Sequence, residues 1–147
     1  MTVVNHVGLC VTDLHRSRRF YEQVFGFAPR NELTVPDAPA SRLLGVPEPV
    51  GLTAVYLVRD GFVLELLHFE RDGNDPRRAR SFTEPGLTHL SFTVPDLPAA
   101  RAAVSAAGGE VLGGTDVGGR AVMVRDPDGQ LLELLVGDSQ SGPPVTP

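Results

Sequence analysis

The sequence contains no lysine and no tryptophan, and it has a single cysteine. Without lysine the chain cannot form a Schiff base with a carbonyl substrate or supply the lysine of a phosphate-binding P-loop. One cysteine cannot form an internal disulfide, which is typical of proteins in a reducing compartment. We therefore expect a cytoplasmic protein whose chemistry depends on other side chains.

Long apolar runs and basic patches are also missing. No run approaches the roughly 18 apolar residues of a membrane span, and no basic segment precedes an apolar one at the N-terminus. The formal net charge is −5, without a basic stripe that alternates with aromatics. We therefore expect no membrane and no nucleic-acid partner. The 147 residues, of which 41% are hydrophobic, are enough to bury the core of one domain.

Two segments of the sequence occur twice. Residues 5–14, NHVGLCVTDL, resemble residues 88–97, THLSFTVPDL, which lie 83 residues later. Residues 60–67, DGFVLELL, resemble residues 128–135, DGQLLELL, which lie 68 residues later. Because the repeated segments keep their order, the sequence predicts a structural duplication.

The duplication predicts two tandem modules within a single domain, residues 1–137. Module one covers about 1–70, and module two covers about 87–137. A charged stretch with glycine and proline, 70–86, is predicted to connect them. Residues 138–147 are rich in glycine, serine and proline and are predicted to form a flexible tail.

Hydrophobic periodicity and turn residues predict the order βαβββ in each module. Module one is predicted to contain strands at 3–11, 27–32, 52–59 and 62–69, with a helix that Gly26 ends. Module two is predicted to contain strands at 87–94, 110–112, 120–125 and 130–136, with a helix over 96–107. Residues 33–51 hold four prolines and are predicted to form a long surface loop. This longer loop explains why the repeat offset falls from 83 to 68.

Each module begins with a strand that carries a histidine and ends with a strand that carries a glutamate. These residues are His6 and Glu65 in module one, and His89 and Glu133 in module two. A carboxylate within an apolar strand is costly to bury unless it is paired or coordinated. Each residue alone fits a solvent-facing carboxylate or a histidine in ordinary core hydrogen bonds. Together, at equivalent positions of a repeat, they favour a metal site with four ligands.

Two imidazoles and two carboxylates suit one divalent ion of Zn, Ni, Co, Mn or Fe. Six-coordinate binding would leave two positions for water or substrate oxygens. That arrangement favours polarisation of a carbonyl and stabilisation of an enolate or enediolate, while a carboxylate moves the adjacent proton. Either Glu65 or Glu133 could be this base, and Glu133 is the marginal preference.

Other polar residues are weaker candidates. Cys10 lies four residues beyond His6, or ~13 Å along a strand, so it is predicted to be a buried core thiol and not a ligand. Arg77, Arg78 and Arg80 could clamp an anionic substrate. A solvated, charged connection is the better interpretation of these arginines.

The sequence resembles the vicinal oxygen chelate superfamily, the group of glyoxalases, bleomycin-resistance proteins and extradiol dioxygenases. The resemblance rests on five motifs: Asn5-His6-Val7-Gly8, Phe20-Tyr21, Phe25-Gly26-Phe27, Asp126-Pro127-Asp128-Gly129 and Leu132-Glu133-Leu134. It implies an α+β fold, in which paired βαβββ modules form an open, curved eight-stranded mixed sheet around a metal. It also implies a homodimer.

The resemblance leaves three functions open. The glyoxalase I and methylmalonyl-CoA epimerase branches use four ligand positions, which fall here on His6, Glu65, His89 and Glu133. This implies a metal-dependent isomerase, lyase or epimerase that acts on a small-molecule substrate through a metal-bound enediolate or enolate. An Fe(II) extradiol-type dioxygenase would use only three of these residues, and Glu65 would occupy a position that catechol and O₂ need. A small-molecule or antibiotic-binding protein that sequesters its ligand is the third possibility.

Overall fold

The computed structural model describes residues 1–70 and 81–137. Within this part of the chain there are two compact units. One contains the described residues up to Glu70 except 23–25, and the other contains 23–25 and the described residues from Ser81 onward. The arginines at 77, 78 and 80, and the tail predicted at 138–147, lie outside the described residues.

Module one forms a four-stranded mixed sheet with two helices. Its elements are β1 (Val7–Cys10), α1 (Leu14–Phe25), β2 (Ala28–Val35), α2 (Asp37–Leu44), β3 (Leu52–Arg59) and β4 (Phe62–Phe69). The strand order is β1-β4-β3-β2. β1 pairs with β4 in parallel, and the other pairs are antiparallel.

Module two repeats this topology. Its elements are β5 (Leu90–Val94), α3 (Leu97–Ala106), β6 (Glu110–Val111), β7 (Ala121–Arg125) and β8 (Leu131–Val136), with a 3-10 turn at Gly113–Thr115. The strand order is β5-β8-β7-β6, and β5 pairs with β8 in parallel. The predicted α+β fold of two βαβββ modules is thus confirmed, and each module contributes a sheet of four strands. Among the described helices, none is long and apolar enough to cross a membrane.

The helices that follow β1 and β5 begin at equivalent aspartates. The Asp13 carboxylate accepts a hydrogen bond from the Arg16 backbone N–H at 2.9 Å, and Asp96 accepts one from Ala99 at 2.8 Å. These N-caps satisfy amide groups that have no partner within the helix. The backbone hydrogen bond from Arg16 lowers the pKa of Asp13 below its ordinary value of 3.8. Gly26 ends α1 in the left-handed conformation, with φ of 66°.

The prediction of one long loop at 33–51 was wrong. β2 continues to Val35, and α2 occupies eight residues of the same stretch. Pro39 lies in the first turn of α2, where a missing N–H costs no helical hydrogen bond. The helix is attached to the sheet by a small apolar cluster in which Ala40 contacts Val50 and Leu52.

Alternation along the central strands separates an apolar face from the face that carries the glutamates. Four leucines on the apolar face are fully buried: Leu64, Leu66, Leu132 and Leu134. Since side chains alternate along a strand, Glu65 and Glu133 lie on the opposite faces of their sheets.

β1 is less buried than its apolar sequence predicts. Gly8 and Cys10 are exposed, while Val7 and Leu9 are half-buried. Cys10 is therefore an exposed thiol, and its prediction as a buried core residue was wrong. The sequence predicted a strand over residues 3–11, but β1 begins only at Val7. His6 therefore directly precedes the strand.

Candidate metal centre

Glu65 lies at the centre of the module-one sheet. It is opposite Gly8 of β1 on one side and opposite Tyr56 of β3 on the other. Its side chain is only 10% exposed. A side chain built onto Gly8 would place its Cβ 3.3 Å from Glu65 Oε2. Glycine at this position therefore leaves room for the carboxylate to lie over β1.

His6 directs one ring nitrogen at this carboxylate. Its Nε2 lies 3.0 Å from Glu65 Oε2. Its Nδ1 lies 2.7 Å from the side-chain oxygen of Asn5. An amide oxygen can only accept a hydrogen bond, so this contact requires a hydrogen on Nδ1, and Nε2 is the nitrogen directed at the carboxylate. This is the arrangement in which a histidine binds a metal through one nitrogen while the other is held by a neighbour.

Tyr56 forms a hydrogen bond with the second oxygen of the Glu65 carboxylate. The Tyr56 hydroxyl donates to Glu65 Oε1 at 2.5 Å. The hydrogen bond to Glu65, together with burial, raises the pKa of Tyr56 to about 12, so the phenol is a hydrogen donor at neutral pH. The Tyr56 ring also contacts His6 edge to face, with ring centres 5.6 Å apart. Both oxygens of Glu65 thus have defined neighbours.

Module two places the equivalent pair in a looser arrangement. His89 Nε2 lies 3.7 Å from Glu133 Oε2, and the Glu133 side chain is 28% exposed. His89 Nδ1 lies 2.9 Å from the hydroxyl of Thr88, the equivalent of Asn5. The Ser91 hydroxyl donates to the same Oε2 at 2.7 Å.

The donor atoms of both pairs fit a divalent cation. In the tautomer with its hydrogen on Nδ1, His6 directs the Nε2 lone pair at a carboxylate oxygen 3.0 Å away. Two lone pairs at this separation repel each other unless a proton or a metal ion lies between them. Nitrogen and carboxylate ligands suit Zn, Ni, Co, Mn and Fe(II). His89 and Glu133 offer the same donor types in the same order.

The structure brings His6 to Glu65 and His89 to Glu133. Within residues 1–70 and 81–137, no group of three or more His, Cys, Asp or Glu side chains is close enough to hold an ion. Binding of one ion by all four residues therefore remains a prediction.

A shallow cleft borders the first pair. Its volume is about 280 Å³. It is lined by Val4, Asn5, His6, Gly61, Phe62 and Val63. The apolar members of this lining could contact the carbon skeleton of a small molecule beside the His6 ring.

Four neighbours of the predicted ligands were not identified from the sequence: Asn5, Tyr56, Thr88 and Ser91. Asn5 and Thr88 directly precede the two histidines at equivalent positions of the repeat. Their place in the repeat is the sequence feature that could have identified them. The two-residue turn at Asp60-Gly61 also fixes the hairpin register, and that register places Tyr56 opposite Glu65. Ser91 could be placed only after β5 was known to pair with β8.

Comparison with known proteins identifies the family. The sequence profile of the Glyoxalase/Bleomycin resistance protein/Dioxygenase superfamily matches residues 3–134. The chain belongs to this superfamily, as its motifs predicted. None of the curated proteins matches the sequence closely enough to be called a relative.

Solved structures share the fold at low sequence identity. A glyoxalase-family protein from Bacillus cereus is 19% identical with a TM-score of 0.77, over 92% of this chain and 94% of that one. Glyoxalase I of Leishmania major, described as trypanothione-dependent, is 24% identical with a TM-score of 0.63, over 89% and 84%. The fosfomycin resistance protein FosX of Listeria monocytogenes, in complex with Mn(II) and sulfate, is 16% identical with a TM-score of 0.63, over 95% and 96%. At these identities the likeness shows the fold alone.

Proposed function

We propose that this protein is a divalent-metal-dependent isomerase, lyase or epimerase of the glyoxalase type, with His6, Glu65, His89 and Glu133 as metal ligands. The observation that carries the proposal is the repeated histidine–glutamate pair. In each module Nε2 of the histidine is directed at a carboxylate oxygen, and its Nδ1 is bonded to the preceding side chain. A histidine whose Nδ1 is held by a neighbour while its Nε2 lies beside a carboxylate is the arrangement found at metal-binding histidines.

The chemistry divides between the ion and the chain. When bound, the ion would polarise a carbonyl oxygen of the substrate and stabilise the negative charge that develops when a neighbouring C–H proton leaves. Asn5 and Thr88 hold the histidine rings so that Nε2 remains a ligand. A glutamate, Glu133 or Glu65, accepts the proton, which is returned to the neighbouring carbon in an isomerisation and to the opposite face of the same carbon in an epimerisation.

The substrate is a small molecule with a carbonyl group beside an acidic C–H bond. Adducts of thiols with 2-oxoaldehydes and thioesters of 2-methyl acids both have this feature. The cleft beside His6 contains Val4 and Phe62, which suit the apolar part of such a molecule. We propose that the protein acts in the cytoplasm as a homodimer.

Exchange of a substrate proton with heavy water tests the reaction. The protein is freed of metal and reloaded separately with Ni, Co, Zn, Mn and Fe(II), and each form is incubated with both substrate classes. Metal-dependent incorporation of deuterium next to the carbonyl is expected. No exchange with any metal, together with oxygen uptake on a catechol by the iron-loaded protein, would contradict the proposal and support a dioxygenase.

Mixing two double variants tests whether the two pairs act within one chain or across two. One variant is His6→Ala with Glu65→Ala, and the other is His89→Ala with Glu133→Ala. If each site takes its pairs from different chains, half of the dimers in an equal mixture are mixed and each mixed dimer has one intact site, so the mixture regains about a quarter of the wild-type sites. If each site belongs to a single chain, mixing restores no metal binding and no exchange.

A further inference from the structure

We infer that Tyr56 is a positioning residue that holds Glu65 as a fixed metal ligand, so that proton transfer falls to Glu133. The inference rests on the proposed function, since it assigns different roles to the two glutamates of that site. It is based on a difference between the modules in the contacts of each carboxylate.

Glu65 is restrained at both carboxylate oxygens. Tyr56 donates to Oε1, and His6 Nε2 faces Oε2 at 3.0 Å. Tyr56 comes from the adjacent strand, where the antiparallel register places it directly opposite. Because a rotation of the carboxylate would break the bond to Tyr56, Oε2, the oxygen that faces His6, is the one that Glu65 holds in place for a metal.

Among residues 1–70 and 81–137, the neighbours of Glu133 restrain it at one oxygen only. Both Ser91 and His89 approach Oε2, and neither contact involves Oε1. The residue opposite Glu133 in β7, where module one has Tyr56, is Met123. A thioether has no hydrogen to donate. Glu133 can therefore present Oε1 to a substrate proton without losing its bond to Ser91.

The exposure of the two carboxylates agrees with this division. The Glu133 side chain is 28% exposed, compared with 10% for Glu65. A general base must reach the proton that it removes, whereas a structural ligand benefits from burial and a fixed orientation. Tyr56 accordingly acts on the metal through Glu65 and not by direct contact.

Metal affinity in a double-mutant cycle tests the role of Tyr56 without reference to activity. The dissociation constant for Ni²⁺ is measured by competition with a chromogenic chelator for wild type, Tyr56→Phe, Glu65→Ala and the double variant. Met123→Leu, at the matching strand position of module two, is the control. Thermal unfolding in the presence of chelator verifies that each variant is folded.

Tyr56→Phe is expected to weaken Ni²⁺ binding roughly 10- to 100-fold. The same change should have almost no effect when Glu65 is already alanine, and Met123→Leu should bind as wild type does. Equal loss in both backgrounds, or unchanged affinity of Tyr56→Phe, would overturn the inference while leaving the proposed function intact. A wild-type protein that binds no metal would overturn both.

Discussion

The two modules share a topology but support their glutamates differently. In module one a tyrosine from the neighbouring hairpin strand and a histidine contact different oxygens of a buried carboxylate. In module two a serine and a histidine approach the same oxygen of a more exposed carboxylate. A duplicated backbone thus places the two glutamates at equivalent positions, while side chains on adjacent strands restrain the two carboxylates to different degrees.

The difference originates at two positions beside each glutamate. The parallel strand contributes Gly8 in module one and Ser91 in module two. The antiparallel strand contributes Tyr56 in module one and Met123 in module two. The hydroxyl donor therefore comes from the hairpin partner in one module and from the parallel strand in the other.

Replacing each glutamate with glutamine is expected to give the largest difference between the modules in deuterium-exchange rate and metal affinity. Glu133→Gln removes the proposed base but keeps an oxygen ligand, so deuterium exchange should fall roughly 10²- to 10⁴-fold with metal still bound. Glu65→Gln should mainly weaken metal affinity, and saturating metal should restore most of the exchange rate.

Rates of deuterium incorporation, measured at several metal concentrations, separate the two cases. If Glu65→Gln abolishes exchange at saturating metal while Glu133→Gln retains it, then the roles of the glutamates are reversed.

The residues that precede the histidines should show a smaller asymmetry. Asn5 accepts from His6 Nδ1 and fixes its tautomer, whereas the Thr88 hydroxyl can donate or accept. Asn5→Ala should weaken Ni²⁺ binding by roughly 10-fold, and the matched Thr88→Val should weaken it less. Chelator competition measures both affinities, and a larger loss in Thr88→Val would argue against tautomer control by Asn5.

The helix caps should show the smallest effect. Asp13→Ala and Asp96→Ala each remove a bond to a helix N–H, so each should lower the melting temperature by roughly a few degrees at neutral pH. The pKa of Asp13 is lowered in the folded chain by its bond to the Arg16 N–H. Its stabilisation is therefore present above pH 3.8, the ordinary value, and is lost as pH falls through the folded pKa.

Melting curves of wild type and Asp13→Ala, recorded from neutral pH downward, measure this loss. The two curves should converge at acid pH. A difference in melting temperature that persists unchanged below the folded pKa would show that the charge of Asp13 does not stabilise α1.

The sequence predicts the hairpin of module one to the residue. Both strands span the predicted ranges because Asp60-Gly61 is a two-residue turn flanked by apolar residues. The same register also places Tyr56 opposite Glu65, but it does not give the hydrogen bond between their side chains. The hairpin of module two has a longer turn, in which Asp126 accepts hydrogen bonds from the backbone N–H of Gly129 through its carbonyl oxygen and from that of Gln130 through its carboxylate. The residue opposite Glu133 could therefore not be found by counting from a two-residue turn.

The helix α2 could not be predicted from local signals. Four prolines in 33–51 indicate a loop, and only one of the eight helical residues is buried. Its stability depends on the Asp37 carboxylate, which accepts the backbone N–H groups of Val50 and Gly51 at 3.1 and 3.0 Å. These partners lie 13 and 14 residues further along the chain, beyond the reach of local periodicity.

The repeat identified the two histidines and two glutamates, and the strand order, in which β1 and β5 each lie beside the last strand of their module, brings one histidine to one glutamate in each. Hydrogen-bond partners from other strands, Tyr56 and Ser91, depend on register and side-chain length. The candidate donor residues were therefore identifiable from the sequence, and the different restraint on each carboxylate was not.

The metal content of the purified protein, measured by elemental mass spectrometry, tests the central claim most directly. The wild type is compared with two double variants. One combines His6→Ala with Glu65→Ala, and the other combines His89→Ala with Glu133→Ala. We expect about one divalent ion per chain in the wild type and its loss in both variants. A separate ion retained by each variant, or no ion in the wild type after reloading with Ni, Co, Zn, Mn and Fe, would contradict it.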